Sequence, residues 1–339
     1  MPPALTDTSI GAIIVTFNAA DVIGECLDSL LAQTGAVPWI VVVDNTSTDA
    51  TVATVRNWAV GRGDGTLSEA TEVSAAAGQA GRTRVVMLHS GANRGFAGGV
   101  NLGLAVLAEV PMIQHFWVLN PDAFADAGAT TAILGAAAEN PHYGIIGGRV
   151  CYAEPPHRIQ IDGGTINRWT GVTGNINLGA EAATARLPDA SDLDFVTGAN
   201  LVASRGFYDR VGPMKEDYFL YYEEADWALR RGSLPIVLAP GFTVFHHAGT
   251  AIGSPTLERI ASPFSFWFKY RSRMLFVRRF YPVALPVAVL YATAKALQLM
   301  AKGAFPQALT LLRAVWGLSA PPAVRDRLSP EAAQIAFGK

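Results

Sequence analysis

The apolar positions in the first third of the chain fall into short unbroken runs: Ile10 to Thr16, Trp39 to Val43, Val85 to Leu88 and Phe116 to Leu119. Between them the apolar residues recur every three or four positions. Asp21 to Leu31, with Val22, Leu27, Leu30 and Leu31 near one face, Ala50 to Trp58, and about Ala97 to Ala108 carry this helical period. Strand-length runs alternating with helical stretches predict an α/β fold, a mostly parallel sheet crossed by helices. The segment from Gly61 to Thr83 is rich in Gly, Ala, Ser and Thr and has little apolar period, which predicts a mobile insertion.

After Val150 the pattern changes to short strands and glycine-rich turns such as Asp162-Gly163-Gly164. A short helix is predicted from about Glu223 to Arg231, then strands at Pro235 to Leu238 and Phe242 to Phe245. The first half reads as a binding unit and the second as the part that completes a reaction site. No internal repeat is found.

Composition adds that the chain can bury a full core, since half of its 339 residues are hydrophobic. The formal net charge of −2 hides a division. From Arg259 to Arg325 there is no Asp or Glu but ten Lys or Arg, which leaves sixteen basic against twenty-eight acidic residues elsewhere. Phe264, Phe266, Trp267, Phe268, Tyr270, Phe276, Phe280 and Tyr281 are interspersed with these charges. Basic heads on apolar bodies suit an anionic membrane surface. Packing on the catalytic domain or on a second subunit is the alternative. Nucleic acid is disfavoured because the rest of the chain is acidic. The charge-free run Phe280 to Ala294 contains Pro282 and Pro286 and is shorter than the roughly 20 residues of a span, so the region is expected to lie on a membrane rather than cross it. Met1 to Asp7 has neither a basic stretch nor an apolar run, and Cys26 and Cys151 have no pair spacing. A cytoplasmic protein with buried thiols is expected.

Candidate chemistry gathers at the predicted strand ends, where open α/β sheets bind ligands. Thr16-Phe17-Asn18, Asp44-Asn45 and Asn120-Pro121-Asp122 all fall there. Asp44 can accept the imide N–H of a pyrimidine base or cap the next helix with Ser47 and Asp49. Asp122, fixed by a proline turn after a buried strand, can hold Mg²⁺ or Mn²⁺ between two phosphates, although as a bare tripeptide it is only a turn. Glu223 and Glu224 crowd at a helix start and suit a base, with only one expected to face a cleft. Asp226 and Arg230 read as a helix-surface pair. Of His246 and His247, adjacent on a strand, one can be a metal ligand, and His246 is the candidate. Neither a dinucleotide fingerprint nor a Walker loop follows the first strand.

With those residues in place the chain resembles the family-2 glycosyltransferases, in particular the rhamnosyltransferase-like branch, to about Tyr281. The matching runs are Ile14 to Asn18, Val42 to Asp49, Asn93 to Asn101, Leu119 to Asp122, Thr197 to Ala199, Tyr218 to Asp226 and Phe245 to Gly249. Each is weak alone and their joint order is specific. The resemblance implies a GT-A fold, Rossmann-like, to which the charge pattern adds a helical basic and apolar C-terminal extension. It implies a catalytic domain over 1–258, with nucleotide-sugar binding over about 8–125 and the acceptor side and base over about 126–258, and an extension over 259–339.

The same resemblance implies donor contacts from Thr16, Phe17, Asn18, Asp44, Asn45, Asn93, Gly95, Phe96, Asn120 and Asp122. It implies acceptor-side roles for Gly198, Ala199, Glu223 and Trp227, a base at Glu224, and a metal held by Asp122 and His246. Asn120 stands at the first position of the Asp-x-Asp metal motif, so tight metal binding without donor is not expected. The implied reaction is inverting transfer from a dTDP-rhamnose-like or UDP-sugar donor to a glycan or lipid-linked acceptor, by a cytoplasmic protein on the inner face of the cell membrane. A nucleotidyltransferase, or a saccharide- or lipid-binding scaffold of the same fold, is the alternative.

Overall fold

The computed structural model describes residues 9–63, 65–79, 82–247 and 261–338. Met1 to Asp7, Ala248 and Gly249 of the histidine motif, and Arg259 lie outside the described residues.

The first unit runs β1 (Ile10–Thr16), α1 (Ile23–Leu31), β2 (Trp39–Asp44), α2 (Thr51–Val60), β3 (Leu67–Ala70), α3 (Val73–Ala77), β4 (Val85–His89), α4 (Gly95–Ala108) and β5 (His115–Leu119). There follow β6 (Ala123–Ala125), α5 (Ala129–Glu139), β7 (Ile145–Tyr152), β8 (Ile159–Ile161), β9 (Gly164–Ile166), β10 (Thr173–Asn175), β11 (Asn200–Ser204), α6 (Arg205–Val211), α7 (Glu223–Leu229) and β12 (Ile236–His246). The chain then continues through α8 (Pro263–Phe280), α9 (Leu285–Ala301), α10 (Phe305–Val315), α11 (Pro322–Arg325) and α12 (Pro330–Phe337).

The main sheet has the order β3-β4-β2-β1-β5-β11-β7-β12-β6, with β8 on β7. The strands from β3 to β5 are parallel, β11 is antiparallel to both neighbours, and β7 and β12 are parallel to each other. Helices cover both faces, which is why the strands read as unbroken apolar runs. Ile13 and Val15 join the core under α4, while Ile10, Ala12 and Ile14 join the core under α1. The expected α/β fold with a mixed, mostly parallel sheet is observed.

Two expectations change. The segment predicted as a mobile insertion carries β3, paired in parallel register with β4, and the short helix α3. Glu69 on β3 is held by Arg56 and His89, each at 2.7 Å. An edge strand needs backbone pairing on one side only, so it forms on a weak apolar pattern. The two strands predicted at 235–238 and 242–245 are one strand, β12, with a register shift between Leu238 and Thr243.

The C-terminal helices share a core with the sheet unit. Phe268 of α8 stacks on Phe219 at 5.0 Å, and Phe276 meets Tyr222 at 5.3 Å. Several charges of the basic segment are spent in this contact. Arg271 donates to the Asp217 carbonyl at 2.8 Å, Arg279 to Asp226 and Asp217 at 2.6 and 2.7 Å, and Arg273 to the Tyr222 hydroxyl at 3.1 Å.

Candidate active site

One hollow of about 340 Å³ lies beyond the carboxyl ends of β1, β2 and β5. Phe17 and Asn45 follow β1 and β2 into its wall, Asn120 and Asp122 follow β5, and His246 ends β12. Asn93, Gly95 and Phe96 reach it from the start of α4, Gly198 and Ala199 from the approach to β11, and Glu223 and Glu224 from the start of α7. A larger hollow, about 610 Å³, is lined by His142 and Arg210 near the amino end of β5 and holds none of the predicted residues.

In one corner the His246 Nε2 stands 3.0 Å from the Asp122 Oδ1 and 3.2 Å from the Asn120 Nδ2. The other ring nitrogen, Nδ1, is 2.8 Å from the Gln160 Oε1. An amide oxygen only accepts, so Gln160 fixes a proton on Nδ1. The Nε2 then faces the Asp122 carboxylate, with the Asn120 amide beside it. The donor set therefore fits a divalent ion, although the described residues offer no group of three or more ligands. The remaining positions of such an ion would fall to a ligand's phosphates and water. His247, on the other face of the strand, points to Glu25 at 2.8 Å, as strand alternation predicts.

At the opposite wall stand the paired glutamates. The expectation that only one would face the cleft is corrected, because both line it. They are the first two residues of α7, at the end of the helix that reaches the hollow. The approach is unusual: Phe219, Tyr221 and Tyr222 all have positive φ, between 64 and 74°. This left-handed coil is held from α8 and from β9–β10. Ser272 donates to the Leu220 carbonyl at 2.8 Å, Tyr221 and Ser265 share a hydrogen bond at 2.8 Å, and Tyr222 donates to the Gly171 carbonyl at 2.7 Å.

Glu223 is 4% exposed and its Oε2 has no hydrogen-bond partner among the described residues. Burial and then the neighbouring Glu224 raise its pKa well above the usual carboxylate range. Burial also raises Glu224, but backbone N–H groups at the helix start and the Lys269 ammonium oppose the rise. Lys269 is itself pulled down to about 8, first by burial and then by Arg273. When the pair shares one proton, the proton belongs on Glu223 and the charge on Glu224.

Asp226 holds α7 in place. It is fully buried and accepts from Arg230 at 2.7 Å, Arg279 at 2.6 Å and the Tyr218 hydroxyl at 2.9 Å. The predicted Asp226–Arg230 pair is present, but as an interior node rather than a helix-surface pair. Trp227 is also corrected. Its indole N–H donates to the Gly212 carbonyl at 2.8 Å and its ring packs on Phe207 at 4.8 Å, away from the hollow. It sits one turn deeper in α7, and only the helix start reaches the cavity.

Thr16, Asn18 and Asp44 do not line the hollow but brace its edge. Thr16 donates to Asp44 at 3.3 Å, Asp44 accepts from the Ser47 amide at 3.3 Å, and Asn18 accepts from the Thr48 amide at 2.8 Å. Asn45 ties β2 to α4 by donating to the Gly95 carbonyl at 2.8 Å. Gly95 has φ +71°, and a Cβ there would stand 2.2 Å from the Phe219 carbonyl oxygen. Gln160, Tyr221, Lys269, Phe264, Arg327 and Leu328 join the site or its electrostatics, and the sequence marks none of them as a site residue. Lys269 is one of the ten basic residues between 259 and 325 that suit a membrane surface by sequence. Only its setting among aromatics in a helix hinted at an inward role.

Residues 12–170 match the family model for glycosyl transferase family 2. That match covers slightly less than half of the chain. Two curated sugar transferases are similar to it. The low-salt glycan biosynthesis hexosyltransferase Agl10 of Haloferax volcanii is 23% identical over 228 residues, 67% of this chain and 62% of that protein. The N-acetylglucosaminyl-diphospho-decaprenol L-rhamnosyltransferase of Mycobacterium tuberculosis is 27% identical over 204 residues, 52% of this chain and 64% of that protein. The alignments thus span less than two thirds of these relatives' own length. Among solved structures, the mannosyltransferase PcManGT from Pyrobaculum calidifontis, in complex with GDP-Man and Mn²⁺, superposes with a TM-score of 0.50 at 18% identity, covering 93% of this chain and 77% of that one. GalNAc-T7 with UDP, GalNAc and Mn²⁺ gives 0.55 at 11% identity, covering 87% and 51%. At such identities the likeness is one of fold, and the fold is GT-A-like.

Proposed function

We propose that the protein transfers a sugar from a nucleotide-sugar donor to a hydroxyl of a glycan or lipid-linked acceptor, with inversion at the anomeric carbon. The observation that carries this reading is one cavity with a base at one wall and a cation-seeking Asp122–His246 corner at another. Glu224 takes the proton of the acceptor hydroxyl as that oxygen bonds to the anomeric carbon. The bond from that carbon to the β-phosphate oxygen breaks, and the nucleoside diphosphate leaves. Asp122 and His246, with Gln160 fixing the ring tautomer, would hold Mg²⁺ or Mn²⁺, which supplies charge neutralisation of the leaving diphosphate. Phe17, Asn45, Asn93 to Phe96 and Asn120 form the donor side. Thr16, Asn18 and Asp44 hold its edge in shape, and Gly198, Ala199 and Glu223 lie toward the acceptor.

A dTDP-rhamnose-like or UDP-sugar donor follows from likeness to the rhamnosyltransferase relative. The diphospho-decaprenol in that protein's name supports a lipid-linked acceptor here. A cytoplasmic setting fits Cys26 and Cys151, both buried free thiols. The test begins with a thermal-shift panel of nucleotide sugars with Mn²⁺, followed by acceptor-dependent release of nucleoside diphosphate. Stabilisation by one nucleotide class and release in step with a new glycoside are expected. Binding without release would leave a saccharide-binding scaffold, and pyrophosphate formed from a nucleoside triphosphate would indicate a nucleotidyltransferase.

A further inference from the structure

The C-terminal helices sort their side chains by size rather than by polarity. The inward positions of α9 are Ala288, Ala292, Ala296 and Leu299. Its outward positions include Leu290, 70% exposed, Leu297, 60% exposed, and Tyr291. The apolar face begins at Val283 and continues over Phe305, Leu309, Trp316 and Leu318. Of the fourteen large hydrophobic residues that stand exposed among the described residues, nine fall between 283 and 318. Scattered single exposures are ordinary, whereas this concentration marks a surface made for an apolar neighbour.

The charges within the segment have one sign. Arg278, Lys295 and Lys302 are exposed, Arg313 is half-buried, and no Asp or Glu occurs from Arg259 to Arg325. We propose that this face of α9 and α10 rests on an anionic lipid surface, with both helices lying in the headgroup plane. Aromatic rings at Tyr291, Phe305 and Trp316 suit that interfacial depth, and the basic side chains suit the phosphates beside them.

The neighbouring possibilities fit less well. The stretch Pro282–Ala301 has 20 residues and a mean hydropathy of 1.5, which suffices for a span by length and composition. Yet α9 itself is about 26 Å long, against a hydrocarbon core of about 30 Å. Lys295 stands exposed within it, and crossing would strip its alanine stripe from α8 and α10. A two-fold contact with a second copy would bring this basic, acid-free segment against an identical one. The consequence for the site is one of placement. The helix that carries α9 and α10, α8, also brings Phe264 into the cavity wall.

Four of the segment's charges, Lys269, Arg271, Arg273 and Arg279, are engaged inside the protein, so apolar contact should dominate the binding. The test is flotation of the full chain with phosphatidylglycerol-containing vesicles and with phosphatidylcholine vesicles. Binding to the anionic vesicles is expected, weaker by about fivefold per charge in Lys295→Gln and Lys302→Gln. The double variant Leu290→Glu/Leu297→Glu should lose at least about tenfold, with melting temperature and nucleoside-diphosphate binding unchanged. These two controls keep the result separate from the fate of the transferase reading. Absence of flotation, or flotation indifferent to the glutamates, overturns the proposal. So does a concentration-dependent dimer by light scattering that Leu290→Glu dissolves, or resistance of the membrane-bound protein to alkaline carbonate, which would mean a span.

Discussion

Glu224→Gln leaves the size of the side chain unchanged and removes the base. General-base assistance is worth about 10²–10⁴ in rate, so transfer should fall by that factor, about 3–5 kcal/mol at the barrier. Donor contacts lie across the cavity, and the dissociation constant for nucleotide with Mn²⁺ should stay within about twofold. Glu223→Gln is the matched control. Glu223 keeps its proton through burial and the neighbouring Glu224, and an amide resembles a protonated carboxyl, so the rate should fall less than about tenfold. The pH profile carries the sign. A base works deprotonated, so activity is lost below its pKa, and burial of Glu224 places that limb above the ordinary carboxylate range. Lys269→Met removes the ammonium that favours the anion and should move the limb further up. Activity of Glu224→Gln within a factor of about ten of the parent, measured as nucleoside diphosphate released per new glycoside, refutes the assignment. A downward movement of the limb in Lys269→Met refutes the electrostatic argument.

The other expectations use simpler assays. Raised carboxyl pKa values mean that the folded state binds extra protons, so their stabilising share is full below the unfolded value and is lost as pH rises through the folded one. Glu223→Gln should therefore melt higher than the parent at alkaline pH and lose that advantage in acid; equal melting across the range contradicts the buried carboxyl. Asp122→Ala should abolish the Mn²⁺-dependent part of nucleoside-diphosphate binding in calorimetry, and unchanged titration with metal removes Asp122 from the site. Asp226→Asn leaves Arg230 and Arg279 facing a neutral group and should cost about 3 kcal/mol in chemical denaturation; a loss below about 0.5 kcal/mol would show that the node is dispensable. Gly95→Ala drives a Cβ onto the Phe219 carbonyl at a left-handed position and should impair folding or donor binding, and parental values for both would contradict the close approach.

The sequence by itself determined the α/β class, the positions of the parallel strands β1, β2, β4 and β5, and the polar ends that carry Phe17, Asn45 and Asp122. These follow from local pattern, because a strand buried on both faces needs an apolar run and a ligand-binding loop needs polar residues where that run stops. It also separated His246 from His247 by strand alternation alone. Tertiary structure decided what depends on distant segments meeting. Gln160 fixes the tautomer of a histidine 86 positions away, Lys269 turns from a surface charge into a buried one whose field favours the Glu224 anion, and Trp227 turns into the core. The edge strand β3 forms because β4 offers it a backbone ladder. The orientation of Glu223 and Glu224 was set by a left-handed coil pinned from α8 and from the Gly171 loop, contacts that follow no sequence period because each joins side chains and backbone far apart along the chain.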